Sequence, residues 1–337
     1  MQWKNAVGLG AAAAVLSMTG SCETGVAANQ RILSGPYSFE NLSVYLVHSE
    51  DATKVEDLRT LDEAVEEGWL TIFETGVIDE IEVENTSDWP VYIPSGSIVT
   101  GGRQDRMLPH DIIVAAHSGK IPLASFCIER GRWSGRGQES ESIFMVAPFL
   151  VADRDILMAA RIEKSQRRVW EGVAANIEEY GTHIRGGRAD EWLWVSSLPE
   201  ALENMQIQDR ARPYVEAITS QARSRTGAIG MVVIIQGKIS GADLYRSGTL
   251  FERLFPKLLD AAATVALAKS ADEGAPEHVT VEEISAWMAG AETGNASSES
   301  GGGVVFLRRI ESENAVFIES LSDTLTDHWI HKSFLGK

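Results

Sequence analysis

The chain has 337 residues, 44% of them hydrophobic, and a formal net charge of −18 at pH 7. That length and apolar content suffice for one large or two small cored domains and exclude wholesale disorder. The acidic balance favours solubility and argues against nucleic acid as a general partner, because the phosphate backbone would be repelled.

The chain opens with Lys4 and no acidic residue, then an apolar run over 6–18, then Thr19-Gly20-Ser21-Cys22. This is the layout of a secretory signal, and the run is too short for a comfortable transmembrane helix. Gly20-Ser21-Cys22 resembles the end of a bacterial lipobox, although Thr19 stands where leucine is usual. Two expectations stay open. Either Cys22 is lipidated, giving a periplasmic or cell-envelope lipoprotein whose membrane contact is that N-terminal lipid, or cleavage near Ala27 or Ala28 releases a soluble secreted protein. In both cases Cys127 is the remaining thiol, so no disulfide within the chain is expected.

Next in the chain, 41–48 alternates as a strand does. Thr60 and Glu63 form a capping box for a short helix that Gly68 can stop. From 69 to 128 the pattern is β-rich, with strands expected at 70–73, 80–84, 91–93, 98–100, 111–116 and 121–128. Asn85–Asp88, Ser95-Gly96 and Ser118-Gly119 mark turns. Helices dominate afterwards. Ser165 caps one with Val169, Trp170, Val173, Ala174 and Ile177 on its apolar face and Gly181 at its exit, and a second lies near 210–222. A buried strand is expected at 229–235, turning at Gly237. Thr249 with Glu252 reads as a capping box for a helix that Pro256 should kink, and Thr280 with Glu283 as another. The Gly/Ser/Ala tract 289–303 reads as a flexible loop, and 304–309 with 315–319 as a hairpin. With no repeat and no βαβ rhythm, the class is α+β: a β-rich N-terminal half forming an antiparallel sheet or sandwich, then helices and a C-terminal hairpin.

Charge is spread unevenly. Between Arg103 and Arg188 there are 13 basic against 11 acidic residues, a balance of +2, which leaves −20 for the rest. The most unusual segment opens this stretch: Gly101-Gly102-Arg103-Gln104-Asp105-Arg106, then Cys127-Ile128-Glu129-Arg130-Gly131-Arg132-Trp133. The two glycines allow a tight turn or a close approach to a ligand. Arg103 and Arg106 can offer planar forks to a phosphate or carboxylate. On a strand, alternation puts Ser125, Cys127 and Glu129 on one face and Phe126, Ile128 and Arg130 on the other. Gln138 and Gln166 are further polar candidates. Against this, a lone cysteine in a strand is usually a small buried hydrophobe, and Glu129 can simply neutralise Arg103 or Arg106.

Other signals are weaker. His328 and His331, after Asp327, have the spacing of metal ligands on one helix face, but with no third ligand a solvated tail is expected. His110, Asp111 and His117 flank a strand without metal-site spacing. Arg185-Gly186-Gly187-Arg188 before Trp192 and Trp194 reads as a mobile basic loop. No metal or cofactor is implied, and no G-x-S-x-G, H-E-x-x-H or Walker motif is present.

The run GGRQDR followed by IPLASFCIERGRW resembles the signature of the ARG and Rhodanese-Phosphatase-superfamily-associated Protein domain family. There a Gly-Gly-Lys/Arg-Gln-Asn/Asp-Arg turn precedes a strand ending in Cys-x-Glu-x-Gly-Arg-Trp. The matching positions are Gly101 to Arg106, Cys127, Glu129, Gly131, Arg132 and Trp133, with looser matches at Gln166, Val169-Trp170, Gly237-Lys238 and Asp243. The likeness makes residues 34–334 a single domain. The family's activity is unknown, and its associations imply nucleotide or ADP-ribose-related ligands.

Three readings follow. The preferred one is an exported, envelope-associated binding domain holding an anionic small molecule, or the acidic group of an envelope partner protein, through Arg103, Arg106 and Arg132, with Gln104 and Trp133 shaping the pocket. The second is a hydrolase or transferase using Glu129 as general base, with Cys127 as nucleophile; neighbouring arginines that push Glu129 downward count against it. The third is a structural or assembly protein in which the same residues form an internal ion-pair network.

Overall fold

Among the described residues, alternating apolar residues condense into three β-sheets, two of them large, with helices packed against both faces of the largest. The computed structural model describes residues 31–49, 58–184, 195–269, 278–322 and 328–337. The signal-like segment with Cys22, the basic loop 185–188 with Trp192 and Trp194, and Asp327 lie outside the described residues.

The first half is strand-rich: β1 (Ile32–Phe39), β2 (Leu42–His48), β3 (Arg59–Thr60), β4 (Leu70–Val77), β5 (Glu80–Asn85), β6 (Val91–Ile93), β7 (Ser97–Gly101), β8 (Arg106–Met107), β9 (Ile112–Val114), β10 (Gly119–Ala124), β11 (Phe126–Cys127) and β12 (Ile143–Leu150), with α1 (Leu61–Glu66) after β3. Helices α2 (Arg154–Arg161), α3 (Gln166–Ile184), α4 (Leu198–Leu202) and α5 (Met205–Gln221) follow. Then come β13 (Ala228–Ile235), β14 (Lys238–Tyr245), α6 (Gly248–Ala268), α7 (Val281–Ala291), β15 (Ala296–Gly302), β16 (Val305–Glu311), β17 (Ala315–Ser322) and β18 (His328–Gly336).

The eight-stranded antiparallel sheet runs β1-β2-β13-β14-β18-β17-β16-β15. Its two faces are read directly from period two. Leu42, Val44 and Leu46 of β2, with Met231 and Ile235 of β13, pack under the helices that include α6, buried along its last two turns over 261–268. Tyr45 and Val47, with Val232 and Ile234, face the other way onto Ile284 and Met288 of α7. Burial on both faces explains why β13 reads Ala-Ile-Gly-Met-Val-Val-Ile-Ile with no polar alternation.

The seven-stranded sheet runs β10-β5-β4-β12-β7-β8-β11. Its two edge strands are adjacent in sequence, separated by Ser125 alone, so the sheet must curl to bring its edges together. The small sheet β3-β6-β9 shares a core with it, built from residues such as Ile72, Val83, Val99, Ile112 and Leu123. An isolated bridge from Ile113 to Gly303 ties this half to the end of the large sheet. Gly303 has φ +57°, and a Cβ there would stand 2.1 Å from the Ile113 carbonyl oxygen. Only glycine fits that seam.

Several expectations are corrected. The strand 121–128 is two strands: Ser125, buried and donating its N–H to Asp79 O, breaks the ladder, so β10 pairs with β5 and β11 with β8. The tract 289–303 is not a flexible loop. It comprises the end of α7 and the edge strand β15, paired along its length with β16. The C-terminal segment is not a solvated tail or helix but β18, paired on both sides with β14 and β17. Gly181 lies inside α3, and Ala174 is exposed rather than on the buried face. The cap of α6 is Ser247, whose hydroxyl accepts from Leu250 N, not Thr249. Both capping boxes at Thr60 and Thr280 form as expected.

Candidate functional site

The arginine-rich turn links β7 to β8 and lies against β11 and the segment after it. Gly102, at φ +54°, is required because a Cβ would come within 2.5 Å of the Phe144 ring and 2.8 Å of Glu74 Oε2. The close approach that glycine permits here is to the protein itself.

Around this turn, carboxylates and guanidinium groups match one another. Asp105 is fully buried. Its Oδ1 accepts from Arg132 Nη2 at 3.1 Å and Gly101 N at 3.1 Å, and its Oδ2 from Arg136 Nη2 at 2.6 Å and Ser197 Oγ at 2.5 Å. Glu129 accepts from Arg132 Nε on both oxygens, at 2.9 and 2.7 Å, and from Asp105 N at 3.3 Å. Gln104 bridges Glu129 O and Arg106 Nη1. Arg106 has no exposed surface, stands 3.7 Å from Glu74 Oε2, and lies 5.8 Å from the Trp133 ring centroid. Of the residues expected to grip an anion, Gln104 and Arg132 are engaged by internal partners, whereas Arg106, with Nη1 on Gln104, is buried with Nε and Nη2 lacking a hydrogen-bond partner. Arg103 and Trp133 are exposed, with the Arg103 guanidinium over the Trp133 ring at 5.6 Å.

The chemistry expected of Glu129 and Cys127 is also placed. Burial pushes Glu129 up, but the hydrogen bonds and charge of Arg132, the Asp105 N–H and Arg136 outweigh it and hold the carboxyl below its usual range. Burial pushes the Cys127 thiol up, against smaller opposing contributions including its bond to Glu129 O at 2.8 Å. A clamped carboxylate and a protonated, buried thiol are poor as base and nucleophile. Gln166 reaches from α3 to both backbone groups of Cys127, fixing β11 to the helix, while Gln138 is exposed. β11 ends at Cys127, and Glu129 beyond it forms an isolated bridge with Ser197.

A second polar cluster lies where the large sheet meets the small one. Asp111, just before β9 and fully buried, accepts from Tyr92 Oη and Ser95 N on Oδ1, each at 2.9 Å, and on Oδ2 from Ser320 Oγ and from His331 Nδ1 at 2.8 Å. The other ring nitrogen of His331 meets Asp243 Oδ1 at 3.0 Å, and its ring stacks on Tyr245 at 4.4 Å. Burial pushes His331 down, yet Asp111 and Asp243 outweigh it and raise it to about 9, so at neutral pH both nitrogens donate. Asp111 is pushed up by burial and held well below the usual carboxylate range by His331, Arg161 and Ser320. Nearby His110 is pulled down to about 4 by burial and Arg161.

Arg161, the last residue of α2, enters this cluster at 2% exposure. Its Nη1 donates to Ser333 Oγ at 3.1 Å, while Nε and Nη2 have no hydrogen-bond partner. Register places Asp243 opposite Ser333 and Tyr245 opposite His331, so strand alternation turns all four toward α2 and α6. Arg161, Asp243, His331 and Ser333 line a cavity of about 80 Å³, with Ser95, Arg154, Ser240 and Tyr245 as further polar walls and aliphatic residues such as Leu150, Met231, Leu258 and Val265 making up most of the rest.

Sequence reasoning marked Asp111, Asp243 and His331 separately and did not bring them together; Arg161 went unmarked. The available signal was a charged residue interrupting an apolar run, as Asp243 does in β14 and Arg161 does after Ile156–Ala160. Among the described residues no group of three or more His, Cys, Asp or Glu side chains is arranged to hold a metal ion, and no helix is long and apolar enough to cross a membrane.

Comparison with known proteins gives a match to the model of the ARG and Rhodanese-Phosphatase-superfamily-associated Protein domain over residues 31–335. No curated protein and no solved structure matches.

Proposed function

The chain belongs to the ARG and Rhodanese-Phosphatase-superfamily-associated Protein domain family, and from that premise we propose that it is a binding domain whose ligand presents a carboxylate or phosphate oxygen to Arg161. One observation carries this reading: a guanidinium almost wholly removed from solvent lines a cavity with Nε and Nη2 unpartnered. Leaving buried charged donors unmade is costly, on the order of 1–3 kcal/mol or more, and an anion answering them recovers that cost with charge-assisted bonds. The cavity, about 80 Å³, suits a small molecule or one small group, not a whole nucleotide.

In this proposal the arginine-rich turn has the structural role, closing the curled sheet through neutralised ion pairs. The hydrolase or transferase alternative is weakened by the state of its two residues, Glu129 clamped and Cys127 protonated. Export and attachment to the envelope rest on residues 1–22 alone. Palmitate labelling of the expressed protein, lost in Cys22→Ala, tests the lipid, and labelling absent from the wild type refutes it.

A thermal-shift panel of small carboxylates, amino acids, inorganic phosphate, sugar phosphates and ADP-ribose tests the site. At least one class should raise Tm with concentration. Arg161→Met should weaken that ligand roughly 10–100-fold, the worth of charge-assisted bonds, while Arg103→Ala leaves it unchanged. Undiminished binding in Arg161→Met, or no shift from any class, removes the proposal.

A further inference from the structure

We infer that the ligand of this cavity is a small aliphatic α-amino acid, bound as its zwitterion. The inference rests on the Arg161 reading and adds a second, oppositely charged contact. Asp243 lines the same cavity with its side chain 33% exposed. Only its Oδ1 is engaged, by His331, and among the described residues Oδ2 accepts no protein hydrogen bond. No ion pair joins Asp243 to Arg161 among the described residues, although both border Ser333, one through a hydrogen bond and the other across the β14–β18 ladder. The cavity therefore offers unpartnered cationic donors and a free acceptor oxygen side by side. A carboxylate and an ammonium on one carbon atom answer both.

Charge balance points the same way. Asp111 and Asp243 stand against Arg161 and His331, and Arg154, which also lines the cavity, is paired with Asp155. A ligand with net negative charge would enter a balanced site against Asp243. A zwitterion adds no net charge and pairs at both ends, which is the condition for burying ions without a large desolvation loss. Asp243 is held from behind, since Asp111 accepts four hydrogen bonds and orients His331, and His331 orients Asp243, while Arg161 is held by its bond to Ser333. The aliphatic walls and the size of the cavity set the side chain as short and apolar, of the alanine-to-valine class.

The experiment is calorimetric titration of the full chain with L-valine, with isovalerate, which lacks only the amine, and with isobutylamine, which lacks only the carboxylate. L-Valine should bind at least tenfold more tightly than either fragment. Asp243→Asn should shrink the advantage of valine over isovalerate, and Arg161→Met its advantage over isobutylamine. The three-ligand comparison in the wild type needs no variant to fold. Isovalerate binding as tightly as valine overturns the zwitterion and leaves the Arg161 reading standing, as does phosphate binding where valine does not. No binding of valine, isovalerate or phosphate overturns both.

Discussion

Raising the pH above neutrality should strip a proton from His331 and, with it, a measurable share of the folding free energy. The imidazole ordinarily titrates near 6.5, and in the fold Asp111 and Asp243 hold it at about 9 against the effect of burial. The folded state thus binds this proton more tightly than the unfolded chain. The stabilisation is fully present below pH 6.5 and is lost progressively as pH rises through about 9. A shift of that size corresponds to roughly 3 kcal/mol, lost at up to about 1.4 kcal/mol per pH unit. Urea unfolding followed by tryptophan fluorescence from pH 6 to 10 measures it. Cys127, which burial holds protonated, adds a loss of the same sign near and above the ordinary thiol range, so the diagnostic quantity is the difference between wild type and His331→Gln. The variant should be less stable at pH 6.5, and the gap should narrow by pH 9.5. Parallel curves with a constant gap would refute the buried imidazolium, and so would a directly titrated His331 resonance that deprotonates below pH 7.

Two further outcomes follow from the fold. Asp105→Asn leaves Arg132 and Arg136 short of a buried counter-charge and should destabilise the chain by roughly 3–5 kcal/mol in chemical denaturation, with any Arg161-dependent ligand affinity at permissive temperature unchanged; a loss below 1 kcal/mol, the ordinary worth of a surface pair, would mean the network is dispensable. Gly303→Ala forces a Cβ onto the Ile113 carbonyl oxygen at a positive φ, and should lower Tm sharply or abolish soluble expression, whereas Gly119→Ala, at φ +61° with open space around it, should cost only the backbone strain of about 1–2 kcal/mol.

Much of the fold was legible because the signals are local. Thr60 with Glu63 and Thr280 with Glu283 satisfy helix termini within four residues, so no tertiary information is needed. The β13 run and the turns at Ser95-Gly96 and Gly237 carry their own patterns. What failed depends on pairing at a distance. β15 is Ala-Ser-Ser-Glu-Ser-Gly-Gly, a composition with little strand preference, and it extends because β16 offers an open ladder. β18 reads His-Trp-Ile-His-Lys-Ser-Phe-Leu-Gly, without clean alternation, and is held by neighbours on both sides. The family signature at 101–133 was visible as a motif, but whether its arginines face a ligand or one another depended on Glu74, Arg136 and Ser197, which lie outside the matched positions. The second cluster was beyond reach for a stronger reason: His331 and Asp111 are 220 residues apart, and Arg161 meets Ser333 across 172.

The two clusters have similar ingredients, arginines against acidic side chains in near balance, and differ in what is left over. In the turn, both oxygens of Asp105 and both of Glu129 are occupied by internal donors, and Arg132 distributes its nitrogens over Glu129, Asp105 and three backbone carbonyls. An anion at Arg132 would have to displace a carboxylate tethered a few ångströms away, while Arg106, which also keeps Nε and Nη2 without a hydrogen-bond partner, sits fully buried beside Glu74 Oε2 at 3.7 Å. At the seam the distribution is uneven: Asp111 is saturated by four donors, while Arg161 keeps two nitrogens and Asp243 one oxygen unanswered, on the wall of a cavity. Saturation fixes the geometry of the groups behind, and incompleteness faces the space in front. In the proposed reading it is the cavity beside the unanswered groups, more than the number of arginines or of unpartnered nitrogens, that favours Arg161 and Asp243 over the turn.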